Sequence, residues 1–229
     1  MSHRQSRALT FINARRLQES LSSAVEKRIL LWLAARTPAG INSDHLTLLG
    51  FVAQFLAGVS YALAAWDKYA LLAATFFIAL NWLGDSLDGT LARFRKQQRP
   101  RYGFYVDHII DTFGAVFLMG GLAISGYLHW GVAMAMLVVF LMLSIEVYLA
   151  TYTLGQFQLS YWIFGPTEIR ILLAIGNITL LYRPTTHIFG HAFQLFDVGG
   201  VIATTAMGVM LIVSTVRHTI MLYRKERVR

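Results

Sequence analysis

Four aspartates occur between positions 85 and 111, and their spacing suits them to act together. Asp85 and Asp88 are three residues apart, and Asp107 and Asp111 are four apart. Side chains at these spacings project from one face of a helix. The connection between the two pairs is short and polar, so we expect two antiparallel neighbouring helices that bring the four carboxylates together.

Such a group of carboxylates predicts a metal site. Carboxylates in a poorly solvated place repel one another unless cations offset their charge. Oxygen ligands favour Mg²⁺ or Mn²⁺ and also accept Ca²⁺, and a pair of divalent ions can neutralise a pyrophosphate. The chain has no cysteine, which excludes thiolate nucleophiles and cysteine-bound metal clusters. The predicted chemistry is metal-dependent phosphoryl transfer.

Phosphate-binding features lie in register with the aspartates. Gly89 and Gly103 have no side chain where a large ligand could approach the helices. Arg93 is four residues from Gly89, and its guanidinium can fork onto a phosphate group. The alternative is that the aspartates cap helices or pair with basic residues at 93–101. That alternative explains a single aspartate better than it explains four.

The rest of the chain is too apolar for an ordinary soluble domain. Hydrophobic residues make up 56% of the 229 residues, and the mean hydropathy is +0.53. A helix needs roughly 20 residues to cross a hydrocarbon core of about 30 Å. The fold class predicted is all-α, an integral membrane bundle of six transmembrane helices. The predicted spans are 46–66, 69–93, 104–128, 131–154, 167–182 and 198–223.

A further helix is predicted before the first span. Apolar and charged residues interleave over 11–35, which predicts an amphipathic helix lying on the cytoplasmic membrane surface. The candidate N-caps of the first span are Asn42, Ser43 and Asp44. We therefore divide the chain into an N-terminal amphipathic segment at 1–45, a membrane domain at 46–223 and a basic tail at 224–229.

The charge pattern predicts the orientation in the membrane. The formal net charge is +8, and the basic residues cluster before the first span, at 93–101 and at 217–229. The positive-inside rule places all three clusters in the cytoplasm. Both termini and the aspartate cluster should then face the cytoplasm in a multi-pass membrane protein. Anionic membrane lipid explains these clusters more simply than nucleic acid, so we expect no nucleic-acid partner.

The aspartate cluster resembles the signature of the CDP-alcohol phosphotransferases, also called CDP-alcohol phosphatidyltransferases. The signature reads D-x2-D-G-x2-A-R, then a spacer, then G-x3-D-x3-D. The predicted six-span layout and the amphipathic start are also similar to this family. The chain matches the signature at Asp85, Asp88, Gly89, Ala92, Arg93, Gly103, Asp107 and Asp111.

The resemblance implies a reaction and a set of roles. An acceptor hydroxyl attacks the β-phosphorus of a CDP-linked alcohol and CMP leaves, a reaction of phospholipid biosynthesis. By this analogy Asp111 lies near the second of two divalent ions and is the general base. The other metal-anchoring residues implied are Asp85, Asp88 and Asp107, and those implied to line the CDP pocket are Gly89, Arg93 and Gly103.

Residues outside the signature are candidates for the acceptor side. Two segments are similar to the choline and ethanolamine phosphotransferase branch, Asp107-His108-x2-Asp111-Thr112 and Gly165-Pro166-Thr167-Glu168. Polar residues of the later spans that could bind the acceptor or its phosphate are Glu146, Glu168 and Arg170. Each has a structural alternative, because Glu146 must face the protein interior and the other two could pair locally.

Two predictions concern packing between helices. Asn81 is predicted to be an interhelical hydrogen-bond partner rather than a ligand. The small residues between Gly114 and Gly126 permit close helix approach, which predicts either packing within the bundle or a homodimer face.

Two other classes of membrane protein stay open at this point. An intramembrane prenyltransferase also uses aspartate-rich motifs and Mg²⁺ with a pyrophosphate donor, although its first cluster usually has three aspartates. A divalent-cation transporter could line its path with the four carboxylates, although Gly89 and Arg93 are phosphate-binding features. Release of CMP from a CDP-alcohol separates the phosphotransferase from both. The identities of the donor and acceptor alcohols are left open.

Overall fold

Helices form most of the computed structural model, which describes residues 23–154 and 166–226. The all-α prediction is confirmed. The helices are α1 (Ser23–Arg36), α2 (Ser43–Leu63), α3 (Ala70–Phe94), α4 (Pro100–Ser125), α5 (Trp130–Leu154), α6 (Pro166–Tyr182) and α7 (Leu195–Lys225).

A short antiparallel hairpin between α6 and α7 was not predicted. It pairs β1 (Thr185–Ile188) with β2 (His191–Gln194). The two residues of its turn, Phe189 and Gly190, both have positive φ angles, as the tight turns of hairpins require. The hairpin therefore connects two helix ends without adding to the helical core.

Within residues 23–154 and 166–226, five helices are long and apolar enough to cross a membrane, namely α2, α3, α4, α5 and α7. The chain is accordingly a multi-pass membrane protein. The predicted span 167–182 corresponds to α6, which has 17 residues and is about 25 Å long. That length is at the lower limit for crossing a hydrocarbon core, and the other five predicted spans correspond to the five longer helices.

Helix α1 covers the described part of the predicted amphipathic helix, whose residues 11–22 lie outside the described residues. Leu30 and Ala34 are buried against Leu87 and Leu91 of α3. Apolar side chains on the rest of α1, such as Trp32, are exposed. Helix α1 thus packs on α3 through one face and presents apolar groups on another.

The start of α2 is fixed by a reciprocal cap. The Asn42 side chain accepts a hydrogen bond from the His45 N–H at 3.0 Å, and His45 Nδ1 accepts one from the Asn42 N–H at 3.3 Å. This arrangement is a capping box. Asn42 is therefore the N-cap among the three candidates.

The basic connection between α3 and α4 is tied to the connection between α1 and α2. The Arg95 guanidinium donates to the carbonyl oxygens of Ile41 at 2.5 Å, Thr37 at 2.8 Å and Pro38 at 3.0 Å. Arg99 pairs with Asp44 at the start of α2. These bonds hold the chain at the end of the bundle where α3 ends and α4 begins, which we call the site end.

Helices α2 and α3 approach closely at two glycines. A Cβ placed on Gly84 would lie 2.6 Å from the backbone nitrogen of Gly50. Beside this contact, Asn81 Nδ2 donates to the Gly50 carbonyl oxygen at 3.0 Å. The prediction that Asn81 bonds between helices is therefore confirmed.

Helix α2 also packs against α4, again through small residues. Gly121 of α4 contacts the backbone of Gly58, and Gly114 faces the side chain of Gln54. The small-residue run of α4 therefore serves packing within the bundle at these two positions. Helices α3 and α4 hardly touch, because both pack on α2 instead. The expectation that they are direct neighbours is wrong, and the space between them is where the aspartates lie.

Helix α6 packs on α3 and extends from the site end to the opposite end of the bundle. Near its middle, Asn177 accepts from the Tyr61 hydroxyl at 2.8 Å and donates to Thr75 Oγ1 at 3.0 Å. Near its end, Lys68 Nζ donates to the Leu181 carbonyl oxygen at 3.4 Å. The Asn177 bonds join α6 to α2 and α3, and the exposed Lys68 bond joins its end to the connection between those two helices.

Replacing Gly84 by alanine should destabilise the fold by about 1–3 kcal/mol, because the added methyl group meets backbone that cannot rotate away. Thermal unfolding in detergent, followed by tryptophan fluorescence, measures the effect. The matched control is Gly208→Ala on α7, where a Cβ meets no atom within 4 Å. An unchanged melting temperature for Gly84→Ala would contradict the close approach of α2 and α3.

Candidate functional site

The four aspartates of the predicted cluster line one small cavity at the site end. Asp85 and Asp88 come from α3, and Asp107 and Asp111 come from α4. Helix α2 closes the third side. The cavity has a volume of about 10 Å³, which is room for a particle the size of one water molecule. The remaining lining residues are Thr47, Gly50, Phe51, Asn81 and Ile110.

Asp88 is the most buried of the four, with 7% of its surface exposed. One carboxylate oxygen accepts a hydrogen bond from Thr47 Oγ1 at 2.6 Å, and the other accepts from the Gly89 backbone N–H. A buried carboxylate requires such donors. Asp88 is therefore fixed in orientation by α2. Thr47 was missed from the sequence, although it lies three residues before Gly50 and so shares the face of closest approach.

Asp85 is paired with a cation from another helix. Arg170 of α6 contacts Asp85 Oδ2 through Nη2 at 2.7 Å. The Arg170 side chain is 18% exposed and that of Asp85 is 40% exposed. The structure thus brings Arg170, a predicted acceptor-side residue, directly to the aspartate cluster. Its positive charge offsets part of the repulsion among the carboxylates.

Asp107 and Asp111 line the cavity from α4. Both residues are exposed, in contrast to Asp88. Asp111 is within electrostatic range of Asp85 and Arg170, and Asp107 is within range of Asp88. The two α4 aspartates are therefore more accessible than Asp88.

The predicted CDP-side residues border open space. A Cβ on Gly103 would meet no atom within 4 Å, and one on Gly89 would meet only the Arg93 guanidinium, at 3.4 Å. Arg93 also donates to Thr90 Oγ1 at 3.1 Å. The backbone is therefore accessible at both glycines, with a guanidinium beside the first.

A cluster of three ring side chains, from Phe104, His108 and Tyr148, lies beside the α4 aspartates. The rings of His108 and Tyr148 meet edge to face with centroids 4.7 Å apart, and the Phe104 and His108 centroids are 4.1 Å apart. Tyr148 belongs to α5 and lies within electrostatic range of Asp111. His108 thus faces α5. Tyr148 was missed because only the rotation of α5 brings it to the site.

The other two acceptor-side candidates, Glu146 and Glu168, lie on α5 and α6. Glu146 faces the protein interior, as predicted, and its Oε1 lies 2.5 Å from Nδ1 of His218 on α7. Its second oxygen has no hydrogen-bond partner in the described part of the chain. This pair joins α5 to α7. Glu168 lies in the first turn of α6, two residues before Arg170.

The donor set fits a hard cation. The cavity presents carboxylates from two helices and a threonine hydroxyl, all oxygen donors of the kind that Mg²⁺ and Mn²⁺ prefer. Within residues 23–154 and 166–226, no three acidic or histidine side chains are close enough together to form a complete metal site. The fit is therefore one of donor chemistry, and the carboxylates that could bind ions are Asp85, Asp88, Asp107 and Asp111.

Comparison with known proteins identifies the family. No curated protein is significantly similar to the chain. The family model for CDP-alcohol phosphatidyltransferase matches residues 41–222, about four fifths of the chain. The match includes all four aspartates and Arg170, whereas α1 precedes it. The chain therefore belongs to the CDP-alcohol phosphatidyltransferase family.

Proposed function

We propose that the chain is a metal-dependent membrane phosphotransferase of phospholipid biosynthesis. It would transfer a substituted phosphate from a CDP-linked alcohol to an acceptor hydroxyl and release CMP. The observation that carries this proposal is that one cavity collects the four aspartates of the family signature. Because the family generally uses divalent metal ions, the cofactors proposed are two ions of Mg²⁺ or Mn²⁺.

The aspartates of the cavity differ in burial, which suggests a division of labour. The proposed metal ligands are Asp85, Asp88, Asp107 and Asp111. Divalent ions bound there would neutralise the pyrophosphate of the donor and stabilise charge on the leaving CMP. Asp88, held by Thr47 and the Gly89 N–H, would keep its orientation without moving. A fixed ligand of this kind lowers the cost of organising the site.

Asp111 is the proposed general base. It is exposed, lines the cavity and lies within electrostatic range of Asp85 and Arg170. In the proposed reaction the acceptor oxygen bonds to the β-phosphorus, its proton passes to the Asp111 carboxylate, and the bond from phosphorus to the CMP oxygen breaks. A base must reach the proton that it removes, and an exposed carboxylate that lines the cavity can do so.

The CDP moiety is proposed to bind along Gly89, Arg93 and Gly103. Open space beside both glycines lets a phosphate approach the backbone. The Arg93 guanidinium next to Gly89 would donate hydrogen bonds to phosphate oxygens.

The acceptor side is proposed to include Arg170 and Glu168 at the start of α6. The Arg170 pair with Asp85 supports a place for this helix at the reaction centre. The third candidate, Glu146, has a buried pair with His218 that supports a structural role between α5 and α7. The choline and ethanolamine subclass remains a narrower proposal, supported by the motifs around His108 and Thr167; residue 165 lies outside the described residues.

The partners and the orientation are also proposals. The partners are the CDP-alcohol, the acceptor alcohol, membrane lipid and a second copy of the chain in a homodimer. The site end and both termini would face the cytoplasm, since the basic connection at 95–99 belongs to that end. Family membership favours this function over the prenyltransferase and the cation transporter.

The proposal is tested by incubating purified protein with a panel of CDP-alcohols and acceptors. With Mg²⁺ or Mn²⁺ we expect CMP and the transferred product in equal amounts, and a chelator should abolish both. Mass spectrometry of the products identifies the two alcohols. Prenyl transfer, or cation flux without nucleotide turnover, would contradict the proposal and support one of the rivals.

Replacing Asp111 by asparagine should lower kcat by about 10²–10⁴-fold while leaving CDP binding intact, because the amide cannot take the acceptor proton. Turnover and calorimetric CDP titration separate the two effects. The matched control is Asp67→Asn in the connection between α2 and α3, where Asp67 accepts from the Tyr69 N–H. Full turnover by Asp111→Asn would refute the assignment of the base.

A further inference from the structure

Glu26 of α1 joins three helices through one carboxylate oxygen. Its Oε1 accepts hydrogen bonds from Trp82 Nε1 at 3.0 Å, Ser86 Oγ at 3.3 Å and Thr167 Oγ1 at 3.0 Å. A partly buried carboxylate is costly unless donors surround it, and here α3 and α6 supply them. Glu26 therefore fixes α1 to α3 and α6 at the site end.

Two of the three partners of Glu26, Ser86 and Thr167, lead directly to the aspartate cluster. Ser86 follows Asp85 in α3. Thr167 is three residues before Arg170 in α6, so the two side chains share a helix face. Arg170 in turn contacts Asp85 at 2.7 Å. The contacts form a closed circuit from α1 through α6 to α3 and back to α1.

The position of Arg170 depends on how the first turn of α6 is held. The bonds of Asn177 fix the middle of the helix, and the bond from Lys68 fixes its far end. The bond between Glu26 and Thr167 acts at the site end, one turn from Arg170. Loss of that bond would let the first turn of α6 move relative to Asp85.

We infer that Glu26 is a positioning residue of the active site, acting through Thr167 to hold Arg170 against Asp85. Glu26 lies before residue 41, where the family match begins. A residue of α1 thus supports a site whose other members lie within the family domain. The inference rests on the proposed function for its kinetic test, and its structural test is independent of turnover.

The first test compares Glu26→Ala with Glu26→Gln. Alanine removes the acceptor oxygen, and a small displacement of reacting groups can cost about 10²-fold in rate, so we expect kcat/KM to fall at least tenfold. Glutamine keeps an oxygen at the position that receives all three bonds and should restore most of the activity. The control is Lys27→Ala, which removes an exposed charge from the same helix. Equal losses for the alanine and glutamine variants would overturn the inference.

A double-mutant cycle tests whether Glu26 acts through Arg170. In an Arg170→Gln background the further loss caused by Glu26→Ala should be much smaller than in the wild type, because the contact that it supports is already gone. The same fold-loss in both backgrounds would overturn the proposed route. Should Glu26→Ala fail to fold, Thr167→Val breaks the same bond from α6, and Thr167→Ser is its matched control.

A distance measurement gives a readout that needs no substrate. The chain has no cysteine, so spin labels at Phe94→Cys and Ile169→Cys, both exposed, report the separation of α3 and α6 at the site end. The distance distribution should shift or broaden in Glu26→Ala and remain that of the wild type in Glu26→Gln. An unchanged distribution in Glu26→Ala would overturn the inference. Absence of CMP release by the wild type would refute only the proposed function, leaving this distance to decide the inference.

Discussion

Carboxylates that share a small cavity in an apolar bundle repel one another, and each must be held by a donor, a cation or solvent. This constraint accounts for the surroundings of the cluster. Asp88 is buried and accepts hydrogen bonds from Thr47 and a backbone N–H, Asp85 pairs with Arg170, and the α4 aspartates are exposed. Helices α3 and α4 pack mainly on α2, which leaves space between their aspartate-bearing faces. Divalent ions are the remaining compensation that the proposed function requires.

Helix α2 makes this separation compatible with a stable bundle. Its glycines at positions 50 and 58 let both α3 and α4 approach its backbone. The carboxylates are consequently held at a fixed spacing by helix packing. The short helix α6 then brings Arg170 to the cluster. Its first turn is bonded to Glu26 through Thr167, and its middle is bonded to Tyr61 through Asn177. The site thus draws on side chains from at least α1, α2, α3, α4 and α6.

The features that sequence could predict are those that depend on local spacing. The aspartate pairs, the Asn42 cap and the apolar helices follow from residues close together in the chain. Thr47, Tyr148, His218 and Glu26 reach their partners only through helix rotation and packing, which spacing does not determine. The same reason explains why α3 and α4 were expected to be neighbours. Asn81 was an exception, because a polar amide in an apolar span needs a hydrogen-bond partner whatever the rotation of its helix.

The most direct test of the central claim is to locate the ions in a structure determined with Mn²⁺ and CDP. An anomalous difference map at the manganese absorption edge identifies the metal without reference to activity. We predict manganese peaks between the carboxylates of α3 and α4, in contact with Asp88 and with phosphate oxygens of CDP. Nucleotide bound with no manganese between these helices, or manganese bound only elsewhere, would contradict the claim that the aspartate cavity is a metal-phosphate site.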